Sequence, residues 1–151
     1  MGQHGTAFGH AGMRMGPAIC YEGLYGDFYG DFVRRGAQFM AIISNDGWWG
    51  DTPGYKHLFT ISRLRAIEHR RAIARSANTG MSGFISARGD IGETLGWEKR
   101  GVISAAVPLN SELTFYTRYG DYLGRISEYL TLLCVLYYIA YRVKRKNYLV
   151  K

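Results

Sequence analysis

The stretch QFMAIISNDGWWGDTPG, residues 38–54, decides the fold class because it joins an apolar run to a glycine-rich loop. The run over residues 38–44 is short, almost wholly apolar and bounded by loop signals, which is typical of a buried strand. We predict that it is a central strand of a sheet, covered on both faces. The loop over residues 45–54 then leads into a helix.

Strand and helix patterns alternate on both sides of this run. Upstream, the segment PAIC at residues 17–20 predicts the end of a buried strand, and residues 27–35 predict a short helix that stops at Gly36. Downstream, apolar residues at helical spacing predict a long helix over about residues 55–77.

Further strands follow this helix. Residues 82–97 predict two strands joined by the turn RGDIG, and residues 101–109 predict another strand that is closed by Pro108. The alternation of strands and helices predicts an α/β layered fold.

Composition and charge narrow the class of protein. The chain has 151 residues, of which 47% are hydrophobic, enough for one domain with a buried core. Its formal net charge is +7, and the lysines and arginines crowd into residues 63–75 and 142–151. Because these clusters lack interleaved stacking aromatics, we expect no nucleic-acid partner. The first cluster is interpreted as a solvated helix face, with phosphate contact as the alternative.

The two cysteines, Cys20 and Cys134, lie far apart in different settings. They form no disulfide framework and no Cys/His cluster with zinc spacing, so we predict no metal or other cofactor. Cys20 follows a strand and precedes a turn and a helix, where α/β folds build their sites. It is therefore either a buried small hydrophobe or a nucleophile activated by the backbone amides of the turn.

The last part of the chain is apolar. Residues 126–141 are followed directly by the basic sequence RVKRK. Their uncharged part, residues 129–141, is shorter than the ~20 residues of a membrane-spanning helix and on its own also fits a buried core helix. Tyrosines near both ends and the basic cluster favour a transmembrane helix over residues 121–142, with a basic tail, residues 143–151, in the cytoplasm. Residues 1–120 then form a domain on the other side of the membrane.

Five short motifs occur in order along the chain. They are CYE at residues 20–22, SNDGWWG at residues 44–50, RLRAIE at residues 63–68, RSANTG at residues 75–80 and LTFYTRYGD at residues 113–121. Together they resemble the catalytic domain of the carbon–nitrogen hydrolase (nitrilase) superfamily, and within it the membrane-bound acyltransferases of lipoprotein maturation. The last motif, with an apolar helix behind it, separates these acyltransferases from soluble amidases.

The resemblance implies an αββα sandwich on the periplasmic side of the bacterial inner membrane, tethered by membrane helices. It also implies a ping-pong acyl transfer, in which a cysteine takes an acyl chain from a phospholipid as a thioester. The free amine of the diacylglyceryl-cysteine at an apolipoprotein's N-terminus then takes the chain from the enzyme. The implied partners are the membrane, the phospholipid donor and the apolipoprotein acceptor, and the oligomeric state stays open.

The resemblance also implies site residues, position by position. Cys20 would be the nucleophile, a role that suits a thiolate because it is both a good nucleophile and a good leaving group. Glu22 matches an acid of the active site, and Tyr21 would pack beside the nucleophile. The implied wall residues in the loop after the central strand are Asn45, Trp48 and Trp49.

Several of these residues also have a purely structural interpretation. Glu22 has one as an acceptor for turn amides, and the two tryptophans have one as core or interface aromatics. Three further polar residues are interpreted as holding the long helix to its neighbours: Glu68, His69 and Arg75.

The family's catalytic triad is Glu–Lys–Cys, with the glutamate as general base and the lysine at the oxyanion, and both precede the cysteine. Residues 1–19 of this chain contain no Glu, Asp or Lys. We therefore expect the chain to be the C-terminal part of a longer enzyme and to be inactive alone, and a base at His4 or His10 is the weaker alternative. Two other hypotheses stay open: a soluble nitrilase-like amidase, and a non-catalytic membrane-anchored module in which Cys20 is structural.

Overall fold

The protein, described by a computed structural model over residues 5–149, divides after Gly120 into two units. The first unit is built on a six-stranded sheet whose strands follow chain order. The strands are β1 (Phe8–His10), β2 (Met13–Ile19), β3 (Phe39–Ser44), β4 (Ile73–Ala77), β5 (Ser82–Ile85) and β6 (Ile91–Leu95). Strands β2, β3 and β4 run parallel, and the outer strands pair antiparallel with them and with each other.

Two helices connect the parallel strands. Helix α1 (Gly26–Arg34) joins β2 to β3, and helix α2 (Pro53–His69) joins β3 to β4. The Thr52 hydroxyl accepts from the Gly54 amide at 3.3 Å and caps the start of α2, where a proline suits the first helical position. A short helix, α3 (Phe115–Tyr119), follows later in the same unit.

The core lies between the helices and one face of the sheet. It is made by apolar side chains from alternate strand positions and from the inner helix faces: Ala18, Tyr29, Phe32, Val33, Ala37, Met40, Ile42, Phe59, Ala66, Ile73 and Ile85. Together with the order of strands and helices, this layering confirms the predicted α/β fold class.

The opposite face of the sheet is open among the described residues. Ile42 in β3 is 1% exposed, whereas the next residue, Ile43, lies on the other face and is 57% exposed. Ile19, which pairs with Ile43 across β2 and β3, is 61% exposed. The prediction of a strand covered on both faces is therefore wrong: β3 is central, but the helices cover only one of its faces.

Two further sequence-based boundaries need correction. The long helix ends at His69, because Arg70 turns into the left-handed region with φ 51°, and residues 73–77 of the predicted helix form strand β4 instead. Apolar helical spacing stops at Ile67, and from Ile73 the burial alternates as in a strand. The segment at residues 101–109 forms no strand: it lines grooves with Phe84 without pairing in the sheet.

The hairpin predicted over residues 82–97 is confirmed as β5 and β6. The turn between them is closed by the Ser86 amide, which donates to the Asp90 carbonyl at 2.9 Å, and by the Gly89 amide, which donates to the Ser86 carbonyl at 2.9 Å. Gly89 has φ 85°, a conformation that favours glycine.

The second unit contains one helix, α4 (Tyr122–Leu149). Its segment Tyr122–Arg142 has 21 residues and a mean hydropathy of 1.3, so by length and composition it can cross a membrane. The helix continues through residue 149, into the segment predicted as a basic tail. Residues 150 and 151 of that tail lie outside the described residues.

Candidate active site

Cys20 lies where strand β2 ends. Ile19 is the last residue of the strand, and Cys20 begins a 3-10 helix that extends to Leu24. The backbone φ of Cys20 is 52°, a left-handed conformation that costs a non-glycine residue about 1 kcal/mol or more. The bend leaves the thiol half-buried. A strained backbone at the carboxyl end of a parallel strand is typical of a functional position.

The Glu22 side chain closes the turn that carries Cys20. Its Oε2 accepts a hydrogen bond from the Ile19 amide at 2.9 Å. Tyr21, between the cysteine and the glutamate, is 49% exposed. The carboxylate thus stabilises the bend, as expected if Glu22 serves as an acceptor for turn amides.

A series of buried polar groups adjoins the Cys20 thiol. Ser44 Oγ, at the end of β3, is 3.9 Å from Cys20 Sγ and 2.5 Å from Asp46 Oδ1. Arg75 Nη2, on β4, donates to both Asp46 carboxylate oxygens, at 3.0 and 2.8 Å. The side chains of this ion pair are 2% and 0% exposed. The prediction that Arg75 holds the long helix is therefore wrong, because it lies on a strand and its partner is Asp46.

The charge state of this ion pair follows from its burial. Burial lowers the pKa of Arg75, and the Asp46 carboxylate acts in the opposite direction. A guanidinium with two carboxylate contacts keeps its charge, since the unperturbed pKa of arginine is far above neutrality. Removing either partner would leave an uncompensated buried charge, a change that costs about 3–5 kcal/mol.

The segment after β4 closes over Asp46. The Asn78 amide donates to the Ser44 carbonyl at 3.2 Å. At Gly80, an added Cβ would lie 2.5 Å from Asp46 Cβ and 2.7 Å from Asp46 Cγ, so only glycine leaves room for the carboxyl group. The motif RSANTG therefore supplies both the cation and the space that Asp46 needs.

The loop after β3 carries two exposed tryptophans. A 3-10 helix (Asp46–Trp49) follows Asn45, whose Oδ1 accepts from the Gly47 amide at 3.2 Å. Trp48 is 86% exposed, and Trp49 is 40% exposed with its ring against Gly54. The interpretation of these tryptophans as core aromatics is wrong, and their exposure leaves a role at an interface or in the wall of a site.

A second buried polar cluster joins helix α2 to helix α3. His69 Nδ1 is 2.8 Å from the Thr117 hydroxyl, and that hydroxyl is 2.8 Å from the Thr114 hydroxyl. Thr114 Oγ1 donates to the Glu68 carbonyl at 2.6 Å. Burial, and then the charge of Arg65, lower the pKa of His69 to about 3, so the imidazole is neutral. These contacts fit the interpretation that His69 holds the long helix to its neighbours.

The predicted site residues leave the sheet at one edge, because β2 and β3 are parallel and both end there. They are the turn residues Cys20, Tyr21 and Glu22 and the loop residues Asn45, Trp48 and Trp49. Of the two histidines considered as bases, His10 lies on the edge strand β1 and is exposed, and His4 lies outside the described residues.

Sequence reasoning missed Ser44 and Asp46 as neighbours of Cys20. Both lie in the motif SNDGWWG, so the motif contained the residues, but only its asparagine and its tryptophans were predicted as site residues. The pairing of Asp46 with Arg75 joins the 3-10 helix after β3 to strand β4, and spacing along the sequence does not reveal such a contact.

The class of protein is given by a family comparison. Residues 2–113 match the family model described as "Carbon-nitrogen hydrolase". This match covers most of the chain, including Cys20, both site loops and the whole sheet. The chain belongs to the carbon–nitrogen hydrolase family.

Its similarity to curated proteins is more specific. The chain is 45% identical over 109 residues to an apolipoprotein N-acyltransferase of Chlorobaculum tepidum, a match covering 72% of this chain and 20% of that protein. It is 42% identical over 97 residues to that of Rhizobium meliloti, and 35% identical over 127 residues to that of Bdellovibrio bacteriovorus. These matches cover 64% and 82% of this chain, and 18% and 22% of the relatives. The chain thus spans about a fifth of the length of these relatives.

Solved structures of the nitrilase superfamily share the fold. Nit3 of Saccharomyces cerevisiae matches with a TM-score of 0.58 at 20% identity, covering 66% of this chain and 39% of that chain. A variant of the amidase from Nesterenkonia sp. AN1 matches with a TM-score of 0.56 at 16% identity, covering 84% and 50%. In that variant, acrylamide has added to the active-site cysteine. At these identities the likeness supports the nitrilase-like α/β fold alone.

Proposed function

We propose that this chain carries the nucleophile of an apolipoprotein N-acyltransferase site, with Cys20 as the residue that holds the acyl chain. The observation that carries the proposal is the position of Cys20. It is a half-buried thiol on a strained bend at the carboxyl end of a parallel strand, inside the region that matches the carbon–nitrogen hydrolase family. The similarity to curated acyltransferases supports this reaction over amide hydrolysis.

The first half of the proposed reaction loads the cysteine. The Cys20 sulfur, after its proton has passed to a base, attacks the ester carbonyl carbon of a phospholipid. A carbon–sulfur bond forms, the carbon–oxygen ester bond breaks, and the lysophospholipid oxygen leaves and takes up a proton. The backbone amides of the turn that starts at Cys20 are proposed to stabilise the oxyanion.

The second half unloads the cysteine. The free α-amine of a diacylglyceryl-cysteine at an apolipoprotein's N-terminus attacks the thioester carbonyl. A carbon–nitrogen bond forms, the carbon–sulfur bond breaks, and the proton lost by the amine returns the base and thiol to their starting state. A thiolate suits both halves because it is a good nucleophile and a good leaving group.

The neighbouring residues are proposed to shape the site. Glu22 orients groups around the thioester through its turn, and Tyr21 packs beside the nucleophile. The exposed side chains of Trp48 and Trp49 and the adjacent Asn45 form a wall against the acyl chain; this role is compatible with the 86% exposure of Trp48. Aromatic side chains with one apolar face and one wet edge suit a lipid substrate.

Helix α4 is proposed to anchor the site in the bacterial inner membrane. The apolar segment of 21 residues and the basic sequence behind it support a cytoplasmic C-terminus, with residues 1–120 on the periplasmic side, by the positive-inside rule. Both proposed substrates are lipids held in the bilayer, so an anchor keeps the cysteine near them.

Acyl transfer to a fluorescent diacylglyceryl-cysteine peptide tests the proposal. The 151-residue chain alone is expected to transfer nothing, since residues 1–19 hold no Glu, Asp or Lys to act as base and oxyanion cation. A chimera in which this chain replaces the matching part of the Chlorobaculum tepidum enzyme is expected to acylate the peptide. Cys20→Ser should abolish that activity, and Cys134→Ser should leave it unchanged. Equal activity of the chimera and its Cys20→Ser variant would overturn the proposal.

A further inference from the structure

The hydroxyl of Ser44 has two neighbours but only one hydrogen to donate. Asp46 Oδ1 lies 2.5 Å from Ser44 Oγ, and Cys20 Sγ lies 3.9 Å from it. A carboxylate oxygen at the shorter distance is much the stronger acceptor, so the hydrogen of Ser44 points to Asp46. The oxygen of Ser44 therefore faces the sulfur with a lone pair, as an acceptor for the thiol hydrogen.

Asp46 is held so that it cannot turn away from Ser44. Arg75 donates to both of its oxygens, and both side chains of this pair are buried. On the other side, the backbone of Gly80 lies so close to the carboxyl group that a Cβ there would overlap it. The orientation of the Ser44 hydroxyl is thus set by groups that do not touch Cys20.

We infer that Ser44, Asp46 and Arg75 form a positioning relay that orients the Cys20 thiol until a base removes its proton. The inference rests on the proposed function of Cys20 and assigns roles to three residues outside the Glu–Lys–Cys triad. Asp46 and Arg75 act through Ser44 and are positioning residues. None of the three is asked to take the proton.

The relay has a consequence for reactivity. A thiolate at Cys20 would face the lone pair of Ser44, or the hydroxyl would have to rotate and give up its bond to a buried carboxylate. Both cost free energy, so the relay keeps the resting sulfur less nucleophilic than a thiol without this neighbour. Protection of this kind suits a cysteine that reacts only when a substrate and a base are in place.

The rate of Cys20 alkylation by iodoacetamide tests the relay in the full 151-residue chain. Mass spectrometry of the Cys20 peptide separates its reaction from that of Cys134. Ser44→Ala removes the acceptor and leaves the ion pair intact, and we expect alkylation at neutral pH to be about threefold faster or more. Ser44→Thr keeps a hydroxyl and should react at the wild-type rate.

Matched variants separate this effect from loss of structure. Ser62 is buried like Ser44, with exposures of 3% and 6%, and its hydroxyl donates to the Leu58 carbonyl at 3.0 Å on helix α2. Ser62→Ala removes a buried hydroxyl of the same kind and should leave the alkylation rate unchanged.

Each outcome bears on the relay alone. A Ser44→Ala rate within error of the wild type would show that the contact at 3.9 Å has no effect, and a slower rate would show that Ser44 donates to a thiolate. Either result overturns the inference, as does equal acceleration by Ser62→Ala. Alkylation needs no phospholipid, acceptor or base from elsewhere, so the relay can fail while acyl transfer by Cys20 stands, and the reverse.

Discussion

At the scale of single residues, the site depends on positions where the backbone or a missing side chain leaves little choice. Cys20 adopts φ 52° at a strand end, and Gly80 has no room for a Cβ beside Asp46. Cys20 follows β2 and Gly80 follows β4, the two neighbours of β3, and both constraints act around the Ser44 hydroxyl at the end of β3. A substitution that touches neither the sulfur nor the substrate can therefore still disturb the site.

Gly80→Ala tests this constraint. Its new Cβ would displace the Asp46 carboxyl group from Arg75, and we expect the free energy of unfolding to fall by about 1–3 kcal/mol. Gly96→Ala is the control, because a Cβ at Gly96 meets nothing within 4 Å. Thermal unfolding of both variants, followed by circular dichroism, gives the comparison. Equal midpoints would contradict the close packing of Gly80 on Asp46.

At the scale of elements, the polar cluster around His69 attaches helix α3 to the end of helix α2. The imidazole stacks on Tyr29 with ring centroids 5.0 Å apart and contacts Tyr116 edge-on at 5.3 Å. The positive charges of Arg65, Arg34 and Arg71 further disfavour a charge on this ring. The junction is therefore built for a neutral histidine.

The stability of this junction should depend on pH. The pKa of His69 falls from 6.5 to about 3 on folding, mainly through burial. In the unfolded chain His69 takes up a proton below pH 6.5, whereas in the folded chain it does not until about pH 3. Its contribution to the free energy of unfolding is therefore full above pH 6.5 and declines as the pH falls through this window. For this one group, the free energy of unfolding changes by at most about 1.4 kcal/mol per pH unit.

The comparison of His69→Gln with the wild type isolates this contribution. The variant cannot titrate, so its free energy of unfolding should change less between pH 6.5 and the more acid part of the window. His57→Gln, an exposed position on the same helix, controls for loss of a histidine in the unfolded state. Parallel pH profiles for the wild type and His69→Gln would count against a buried neutral imidazole.

Sequence patterns were informative for elements and less so for their limits and contacts. The buried strand β3, helix α1 and the hairpin of β5 and β6 carry local signals, namely short apolar runs, a stop glycine and a turn sequence, and each is where the pattern predicts it. Strand β4 was missed because residues 70–77 mix arginine with small apolar residues and contain no unbroken apolar run like that of β3. Its strand character depends on pairing with β3 and β5, which are distant in sequence.

The site was predicted in the same uneven way. Cys20, Glu22 and the tryptophan loop could be named from motifs, since a motif records which residues occur together. The partnership of Ser44, Asp46 and Arg75 could not, because it arises from the register of three strands.

At the scale of the whole molecule, each unit exposes apolar side chains. The sheet leaves Ile19 and Ile43 uncovered on the face opposite the helices, and helix α4 exposes leucines and tyrosines over residues 122–141. Open apolar surfaces of this kind mark contacts with protein or membrane, or aggregation. The first unit should therefore aggregate when it is made alone, and α4 should partition into lipid.

Membrane extraction tests the assignment of α4. The chain should stay in the membrane pellet after washes with high salt and alkaline carbonate, and detergent should release it. Leu132→Arg with Leu136→Arg places charges near the middle of the segment, at about 2.5–3.5 kcal/mol each, and should shift the protein out of the pellet. The pair Leu132→Ala with Leu136→Ala is the matched control. Release of the unmodified chain by salt alone would favour the soluble amidase hypothesis.

Mass spectrometry of the Cys20 peptide tests the proposal that Cys20 carries the acyl chain between two substrates. The chimera with the Chlorobaculum tepidum enzyme is incubated with phospholipid in the absence of acceptor and is then digested. The mass of the Cys20 peptide is measured before and after treatment with hydroxylamine. We expect one acyl chain on Cys20, removed by hydroxylamine and by a chase with diacylglyceryl-cysteine peptide, and none in the Cys20→Ser variant. Peptide acylation by the chimera with no acyl chain on Cys20 at any time, or with the chain on another residue, would contradict it.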